Sequence, residues 1–320
     1  MIILTGGAGF IGMNLLRRLN ADGRDDIIVV DELNSQLKAD NLSGPKFRDF
    51  VDKEEFPKWL SDQAKSSKVE AILHQGACTD TLESDEDYML HNNFEYSKNL
   101  LHFAVAKRIP FIYASSASVY GNHDVAYEDR QLESPLNIYA RSKLLFDQYV
   151  ESNLNGIHSS VVGLRYFNVY GVGEAHKGKM ASMVHQLYTQ LTSSGVGKLF
   201  GAAGGFAQGE QRRDFVFVED LVDVNCFFLR RSPIQTIVNV GSGRSRSWND
   251  LASILISELG TGRIEYMDFP ADLEDKYQFD LRADLSKLRS TGYGREFHTL
   301  EQGVRKVVAA LASKPAGVHS

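Results

Sequence analysis

Tyr139 and Lys143 stand four positions apart in the run Tyr139-Ala140-Arg141-Ser142-Lys143. On a helix this spacing puts a phenol and an ammonium on one face, where the positive charge favours the phenolate and makes the tyrosine a usable proton acceptor near neutral pH. Far upstream, Gly6-Gly7-Ala8-Gly9-Phe10-Ile11-Gly12 follows the apolar run Met1-Ile2-Ile3-Leu4-Thr5. Gly6, Gly9 and Gly12 describe a strand that turns sharply into a helix N-terminus, whose free N–H groups and dipole hold a pyrophosphate. A dinucleotide beside an activated tyrosine is the chemistry of hydride transfer at a carbinol. Ser116 directly follows another apolar run, Phe111-Ile112-Tyr113-Ala114-Ser115, where its hydroxyl would hydrogen-bond the substrate oxygen beside Tyr139.

Further residues refine this reading. Asp31 closes the run Ile27-Ile28-Val29-Val30, about where an acid binds an adenosine ribose hydroxyl and favours NAD. Glu32 would repel a 2′-phosphate, whereas Lys38 and Lys53 downstream would attract one, so the residues by themselves argue for NAD and for NADP. Asn168, in Leu164-Arg165-Tyr166-Phe167-Asn168-Val169-Tyr170-Gly171, ends a strand with an amide able to meet cofactor and substrate. Lys177 lies between His176 and Lys179, neighbours that ease its deprotonation and suit it to a second proton-handling role. Taken alone, a solvated loop charge is the plainer reading of Lys177. Arg213 offers a guanidinium suited to a diphosphate, with a surface ion pair as the alternative. His74 and Cys78 read as packing and close-approach residues, since no partner at ligand spacing suggests a metal.

These groups need a scaffold. The runs at 27–31, 71–74, 111–115 and 160–164 alternate with amphipathic stretches, the pattern of buried parallel strands joined by helical crossovers. The predicted class is α/β, a Rossmann-type doubly wound parallel sheet with a smaller α/β substrate domain. Helices are expected over about 11–20, 88–107 and 137–153. The dinucleotide domain is expected at 1–168 with about 214–241, where the chain returns to the sheet, and the substrate domain at about 169–213 with 242–320. Gly171 to Gly178 and Gly201 to Gly209 read as ligand-ordered loops, and Ser313 to Ser320 as a fraying tail.

The composition agrees. The 320 residues are 43% hydrophobic, enough for a substantial core, and the net charge of -6 argues against nucleic acid as a partner. Two cysteines, Cys78 and Cys226, are too few for a disulfide framework and fit a reducing compartment. With the first strand expected from Ile2 and no run apolar enough to span a bilayer, the expectation is a cytoplasmic protein without a membrane partner.

The glycine pattern with Tyr139 and Lys143 resembles the extended short-chain dehydrogenase/reductase superfamily. Within it, His74-Gln75-Gly76-Ala77-Cys78, Asp87-Tyr88-Met89, Asn92-Asn93, Pro135-Leu136-Asn137, the Arg165 to Gly171 run and above all His176-Lys177-Gly178-Lys179-Met180-Ala181-Ser182 resemble a group of ADP-sugar epimerases. The resemblance implies that bound NADP, with NAD as the alternative, oxidises the ADP-sugar at C6″ to a transient ketone and returns the hydride to the opposite face. It casts Tyr139 and Lys177 as the two acid–base residues, supported by Ser116 and Lys143. It assigns the cofactor to Phe10, Ile11, Asp31, Glu32, Lys38, Lys53, Gln75, Gly76, Ala77, Cys78, Thr79, Asn92, Lys143 and Val169. It assigns the substrate to Asn168, Lys179, Phe200, Gly201, Ala202, Ala203, Arg213 and Tyr277, with Gln186 where the group has a substrate-contacting histidine and His185 one position early. A homo-oligomer and a role in lipopolysaccharide inner-core synthesis are also implied. Two rivals remain: a nucleotide-sugar 4-epimerase of the same superfamily, and a non-catalytic dinucleotide sensor. A dehydratase would carry an Asp-Glu pair where Ala117-Ser118 stands.

Overall fold

Short runs of branched and aromatic residues become strands because both faces of each can be buried. Ile2 to Leu4, Ile27 to Val30 and Ala71 to Leu73 are almost wholly shielded from solvent. The computed structural model describes residues 1–62, 68–153, 156–231, 233–270, 273–274 and 277–313. The tail expected after Ser313 lies outside the described residues.

In chain order the strands are β1 (Ile2–Thr5), β2 (Ile27–Asp31), β3 (Asp49–Asp52), β4 (Ala71–His74), β5 (Phe111–Ser116), β6 (Val125–Ala126), β7 (Val161–Tyr166), β8 (Asn168–Tyr170), β9 (Val196–Phe200), β10 (Arg212–Phe217), β11 (Gln235–Val240), β12 (Ser245–Ser247), β13 (Arg263–Met267) and β14 (Arg282–Ala283). The helices are α1 (Phe10–Ala21), α2 (Gln36–Asn41), α3 (Phe56–Asp62), α4 (Glu86–Leu90), α5 (Tyr96–Lys107), α6 (Ile138–Ser152), α7 (Met183–Ser194), α8 (Val218–Leu229), α9 (Trp248–Leu259), α10 (Ser286–Ser290) and α11 (Leu300–Ala312).

Among the described residues, seven strands form the main sheet in the order β3-β2-β1-β4-β5-β7-β11. Strand β1 pairs in parallel with β2 and β4, as do β2 with β3 and β4 with β5. The order reverses direction at β1, which makes the carboxyl ends of β1 and β4 a topological switch point, the place where such sheets bind ligands. The chain divides into two compact units of nearly equal length. The first comprises Met1–Ser116, Ile138–Arg165 and Val222–Val238; the second comprises Ala117–Asn137, Tyr166–Leu221 and Asn239–Ser320.

The first unit buries Ile3, Ile28, Val30, Ile72, Phe111, Tyr113, Phe146 and Val161 in one apolar cluster. The helix expected over 88–107 is interrupted: α4 passes through a π-helical turn, His91–Glu95, into α5. Such turns insert an extra residue and redirect side chains, and here Asn92 and Asn93 ride on it.

In the second unit β10 pairs in parallel with β8 and antiparallel with β12, so the apolar run from Asp214 builds a separate three-stranded sheet. Only β11 of the two late strands expected at the main sheet joins it. The periodicity of Asp214 to Phe217 is that of any buried strand and names no partner. Helices α9 and α11 each open with a capping box, Ser247 with Asp250 and Thr299 with Gln302.

Candidate functional site

At the end of β1 the chain reverses at Gly6, whose φ of 67° suits glycine. A Cβ on Gly6 would lie 2.6 Å from the Gly76 nitrogen, and one on Gly12 would lie 2.0 Å from the Gly6 oxygen, so neither position has room for a side chain. Gly9 caps α1 with no side-chain hydrogen bond, the kind of helix N-terminus that suits an anionic ligand. Phe10, Ile11 and Gly12 form that first turn.

An open pocket of about 520 Å³ lies beside this turn. It is lined by Thr5, Gly6, Val30, Asp31, Glu32, Lys38, Lys53, Gly76, Ala77, Cys78, Tyr88, Asn92 and Tyr96. Buried Asp31 accepts the Ala8 N–H through Oδ2 at 2.9 Å, and Lys38 Nζ lies 2.6 Å from its Oδ1. Lys53 Nζ lies 2.9 Å from Glu32 Oε2 and donates to Asn92 Oδ1 at 3.4 Å. Burial works against the Lys53 charge, but the Glu32 hydrogen bond and charge prevail and raise its pKa. The two acids and two lysines that argued in opposite directions are therefore paired with each other.

The pocket also gathers Tyr88 and Tyr96, which sequence reasoning missed as lining residues. The buried Tyr96 hydroxyl has no hydrogen-bond partner among the described residues, a polar atom that a bound ligand would satisfy. With the glycine cradle, this fits a nicotinamide dinucleotide. Gln75 is turned to Asn225, donating to its Oδ1 at 3.2 Å, and Thr79 is exposed just beyond Cys78. Val169 lies on β8 in the second unit, paired with Val216.

The residues expected to do acid–base work, Ser116, Tyr139 and Lys143, stand at the carboxyl end of β5 and on α6. Ser116 hydrogen-bonds the Tyr139 phenol. Lys143, 6% exposed, donates from Nζ to the Ala114 carbonyl at 2.9 Å. Asn93 ties the neighbouring segments together, its Oδ1 accepting the Cys78 N–H and its Nδ2 donating to the Cys78 carbonyl and to Ser142 Oγ. Beneath them His74 is clasped between Thr5 Oγ1 at 2.6 Å and Ser97 Oγ at 2.8 Å.

The electrostatics correct one expectation. Burial raises the Tyr139 pKa, and it is the Ser116 hydrogen bond that pulls it down. Lys143, expected to acidify the phenol, is anchored on the Ala114 carbonyl and is itself depressed to about 8 by burial, against the opposing influence of Asp147 and Cys78. Desolvation of two neighbouring groups outweighs the attraction that helical spacing alone suggests.

In the second unit, Lys177 and Lys179 lie on the 3-10 segment Ala175–Met180, broken at Gly178 (φ 51°). Buried Glu174 organises it: its carboxylate accepts the Gly171 N–H at 3.1 Å, the Ser182 N–H at 2.7 Å and Ser182 Oγ at 2.7 Å, with Lys177 Nζ 3.6 Å from Oε2. Sequence reasoning gave Lys177 two basic neighbours and missed this acid. Gln186 spends its amide on the carbonyls of Ala181 and Lys179, at 2.7 and 3.2 Å, while Ser182 caps α7 by accepting the His185 N–H on its Oγ.

A second group gathers around β10. Arg213, 6% exposed, has its guanidinium 4.6 Å from the Tyr277 ring centroid and 5.6 Å from that of Trp248. Burial lowers its pKa. The Phe200 ring lies 5.0 Å from Phe269 and 6.2 Å from Tyr277. The loop after Phe200 closes on itself: Gly201 donates to Met267 O, Ala203 and Phe206 exchange backbone hydrogen bonds, and Gly209 donates to Phe200 O. Ala202 lies within it. Exposed Asn168 opens β8, opposite Phe215 of β10. Lys177, Lys179 and Gln186 belong to the separate Glu174 segment.

Among the described residues, no group of three or more His, Cys, Asp or Glu could hold a metal ion, and no helix is long and apolar enough to cross a membrane. A family model described as the NAD dependent epimerase/dehydratase family matches residues 2–241. An ADP-L-glycero-D-manno-heptose-6-epimerase of Alkalilimnicola ehrlichii is 49% identical over 320 residues, covering 100% of both chains. One of Brachyspira hyodysenteriae is 46% identical, covering 97% of this chain and 98% of that protein. The crystal structure of the Helicobacter pylori ADP-L-glycero-D-manno-heptose-6-epimerase is similar at a TM-score of 0.84 and 32% identity, covering 98% of this chain and 96% of that one.

Proposed function

Because this chain belongs to the NAD dependent epimerase/dehydratase family, we propose that it is an isomerase interconverting ADP-D-glycero- and ADP-L-glycero-D-manno-heptose by inversion at C6″. The observation that carries this reading is the hydrogen-bonded Ser116 and Tyr139 with buried Lys143, in the unit that also holds the dinucleotide pocket, in a chain 49% identical end to end to such an epimerase. A nicotinamide dinucleotide, when bound, supplies reversible hydride transfer at the substrate carbinol.

The chain's own residues do the rest. Tyr139 takes the proton of the C6″ hydroxyl in one substrate orientation, and Ser116 orients that oxygen. Lys143, anchored on the Ala114 carbonyl, holds the turn of α6 that carries Tyr139. Lys177 handles the proton in the opposite orientation, its ammonium held by Glu174. Arg213, desolvated against Tyr277 and Trp248, receives the diphosphate. Asn168, Lys179, Gln186, Phe200, Gly201, Ala202, Ala203 and Tyr277 complete the substrate contacts.

NADP is the proposed cofactor. Its 2′-phosphate would draw Lys38 and Lys53 from Asp31 and Glu32, gaining two cations already placed in the pocket. A cytoplasmic, homo-oligomeric enzyme of lipopolysaccharide inner-core synthesis completes the proposal, in keeping with the two free cysteines.

The test is incubation with ADP-D-glycero-D-manno-heptose, with NMR of the sugar and mass spectrometry. Inversion without mass change is expected. Inversion at C4 of another nucleotide sugar, with none at C6″, would favour the 4-epimerase reading; no conversion of any nucleotide sugar would favour a sensor.

A further inference from the structure

We propose that Asp147 is a positioning residue for this reaction, locking α6 in register against the end of β5 and supplying the buried negative charge one helical turn beyond Lys143. The inference rests on the reading of Ser116, Tyr139 and Lys143 as the acid–base set. Nothing in the spacing of Tyr139 and Lys143 required a third polar residue at 147, on a helix face otherwise turned to the core.

The Asp147 side chain is wholly buried. Its Oδ1 accepts the Tyr113 hydroxyl at 3.0 Å, and its Oδ2 accepts Ser115 Oγ at 2.8 Å and Arg165 Nε at 2.8 Å. Burial raises the Asp147 pKa, and the Arg165 charge with three donors converging on its two oxygens opposes that and favours the ionised carboxylate. Between Tyr113 and Ser115 lies Ala114, whose carbonyl receives Lys143 Nζ. One carboxylate and one ammonium of α6 thus grip three consecutive residues of β5, and the next residue is Ser116. A shift of α6 along β5 would break these bonds together and carry Tyr139 away from Ser116.

The same placement sets the charge around Lys143. The groups facing it are Asp147 and Tyr139 on its own helix, His74 on β4, Cys78 just after β4 and, through Asp147, Arg165 on β7. His74, depressed to about 3 by burial, stays neutral in the working range. Burial pulls Lys143 down to about 8, and Asp147 leads the opposing influences. With the carboxylate neutralised, buried Arg165 would lose its Asp147 ion pair and Lys143 its nearest negative charge, so Lys143 would shed its proton more readily.

Two variants test this. Asp147→Asn keeps the shape and removes the charge. Asp147→Asn combined with Arg165→Met removes both members of the buried pair, which guards against a single variant that fails to fold. The alkaline limb of the epimerisation pH profile, expected near the Lys143 pKa of about 8, should move to lower pH by about one unit in Asp147→Asn and by a smaller amount in the double variant, where the Arg165 charge is gone too. Ser115→Ala, which loses a hydrogen bond and keeps the charge, should leave that limb in place. The pH dependence of Lys143 acetylation by acetic anhydride, read by peptide mass spectrometry, should show the same shift without any substrate. A shifted labelling midpoint in a protein that epimerises nothing would sink the assigned reaction and leave the Asp147–Lys143 relation standing. Native limbs and native labelling midpoints in both variants would overturn the inference and reduce Asp147 to a structural residue.

Discussion

Glu174 Oε2 lies 3.6 Å from Lys177 Nζ, and the same buried carboxylate accepts the N–H groups of Gly171 and Ser182 together with the Ser182 hydroxyl. One side chain therefore closes the Gly171–Ser182 loop and holds the head of the proposed second acid–base residue. This couples loop order to chemistry.

Glu174→Gln retains the shape but replaces one acceptor oxygen with a donor and removes the charge. Stability in urea should fall by about 1–3 kcal/mol, the cost of leaving buried donors unsatisfied. Epimerisation should drop by at least about tenfold as Lys177 loses its anchor. Reduced stability with undiminished turnover would separate Lys177 from the reaction.

Tyr139→Phe keeps the ring and removes the proton carrier. Turnover should fall by about 10²–10⁴-fold, the usual share of a positioned acid or base, while dinucleotide affinity by calorimetry stays within about twofold. Lys177→Ala should likewise retain the dinucleotide and strongly lower inversion at C6″. If either variant turned over at the native rate, the two-base assignment would fail.

The pairing of Lys38 with Asp31 and of Lys53 with Glu32 predicts cofactor preference. Lys38→Ala and Lys53→Ala should each weaken NADP binding by about 10–100-fold, the range for a lost charge-assisted hydrogen bond, with a much smaller change for NAD. Titration calorimetry with both dinucleotides measures this. Equal losses for the two would assign the lysines to the pocket at large and not to a 2′-phosphate.

His74 predicts an acid limit to stability. Burial, and to a lesser extent the Lys143 charge, depress its pKa to about 3, whereas the unfolded chain titrates near the ordinary histidine value of 6.5. Between those values the unfolded state binds more protons, so the His74 contribution is fully present above the unfolded pKa and is lost as pH falls toward the folded one. The slope should approach about 1.4 kcal/mol per pH unit. Urea unfolding across that range should show it, and His74→Gln should flatten the curve; an unaltered slope would trace the acid sensitivity to other groups.

Much of this molecule was legible before any coordinates. The glycines at 6, 9 and 12 were readable because their context is local: an apolar run, a turn and a helix start are adjacent in the chain. Tyr139 and Lys143 were readable because helical geometry fixes the separation of residues four apart. The strands of the first half announced themselves as short apolar runs. Asp214 to Phe217 announced itself equally well as a strand, yet its partners β8 and β12 had to be seen.

Sequence by itself determined the parallel α/β class, the glycine turn after the first strand and the helix that carries Tyr139 and Lys143, all set by neighbours along the chain. Only the tertiary structure decided that Lys38 and Lys53 are matched by acids, that Glu174 governs Lys177, and that Asp147 joins Tyr113, Ser115 and Arg165. The reason is physical. A buried charge is tolerated only where donors from distant segments converge on it, and that convergence follows from how strands and helices pack, which local periodicity does not encode.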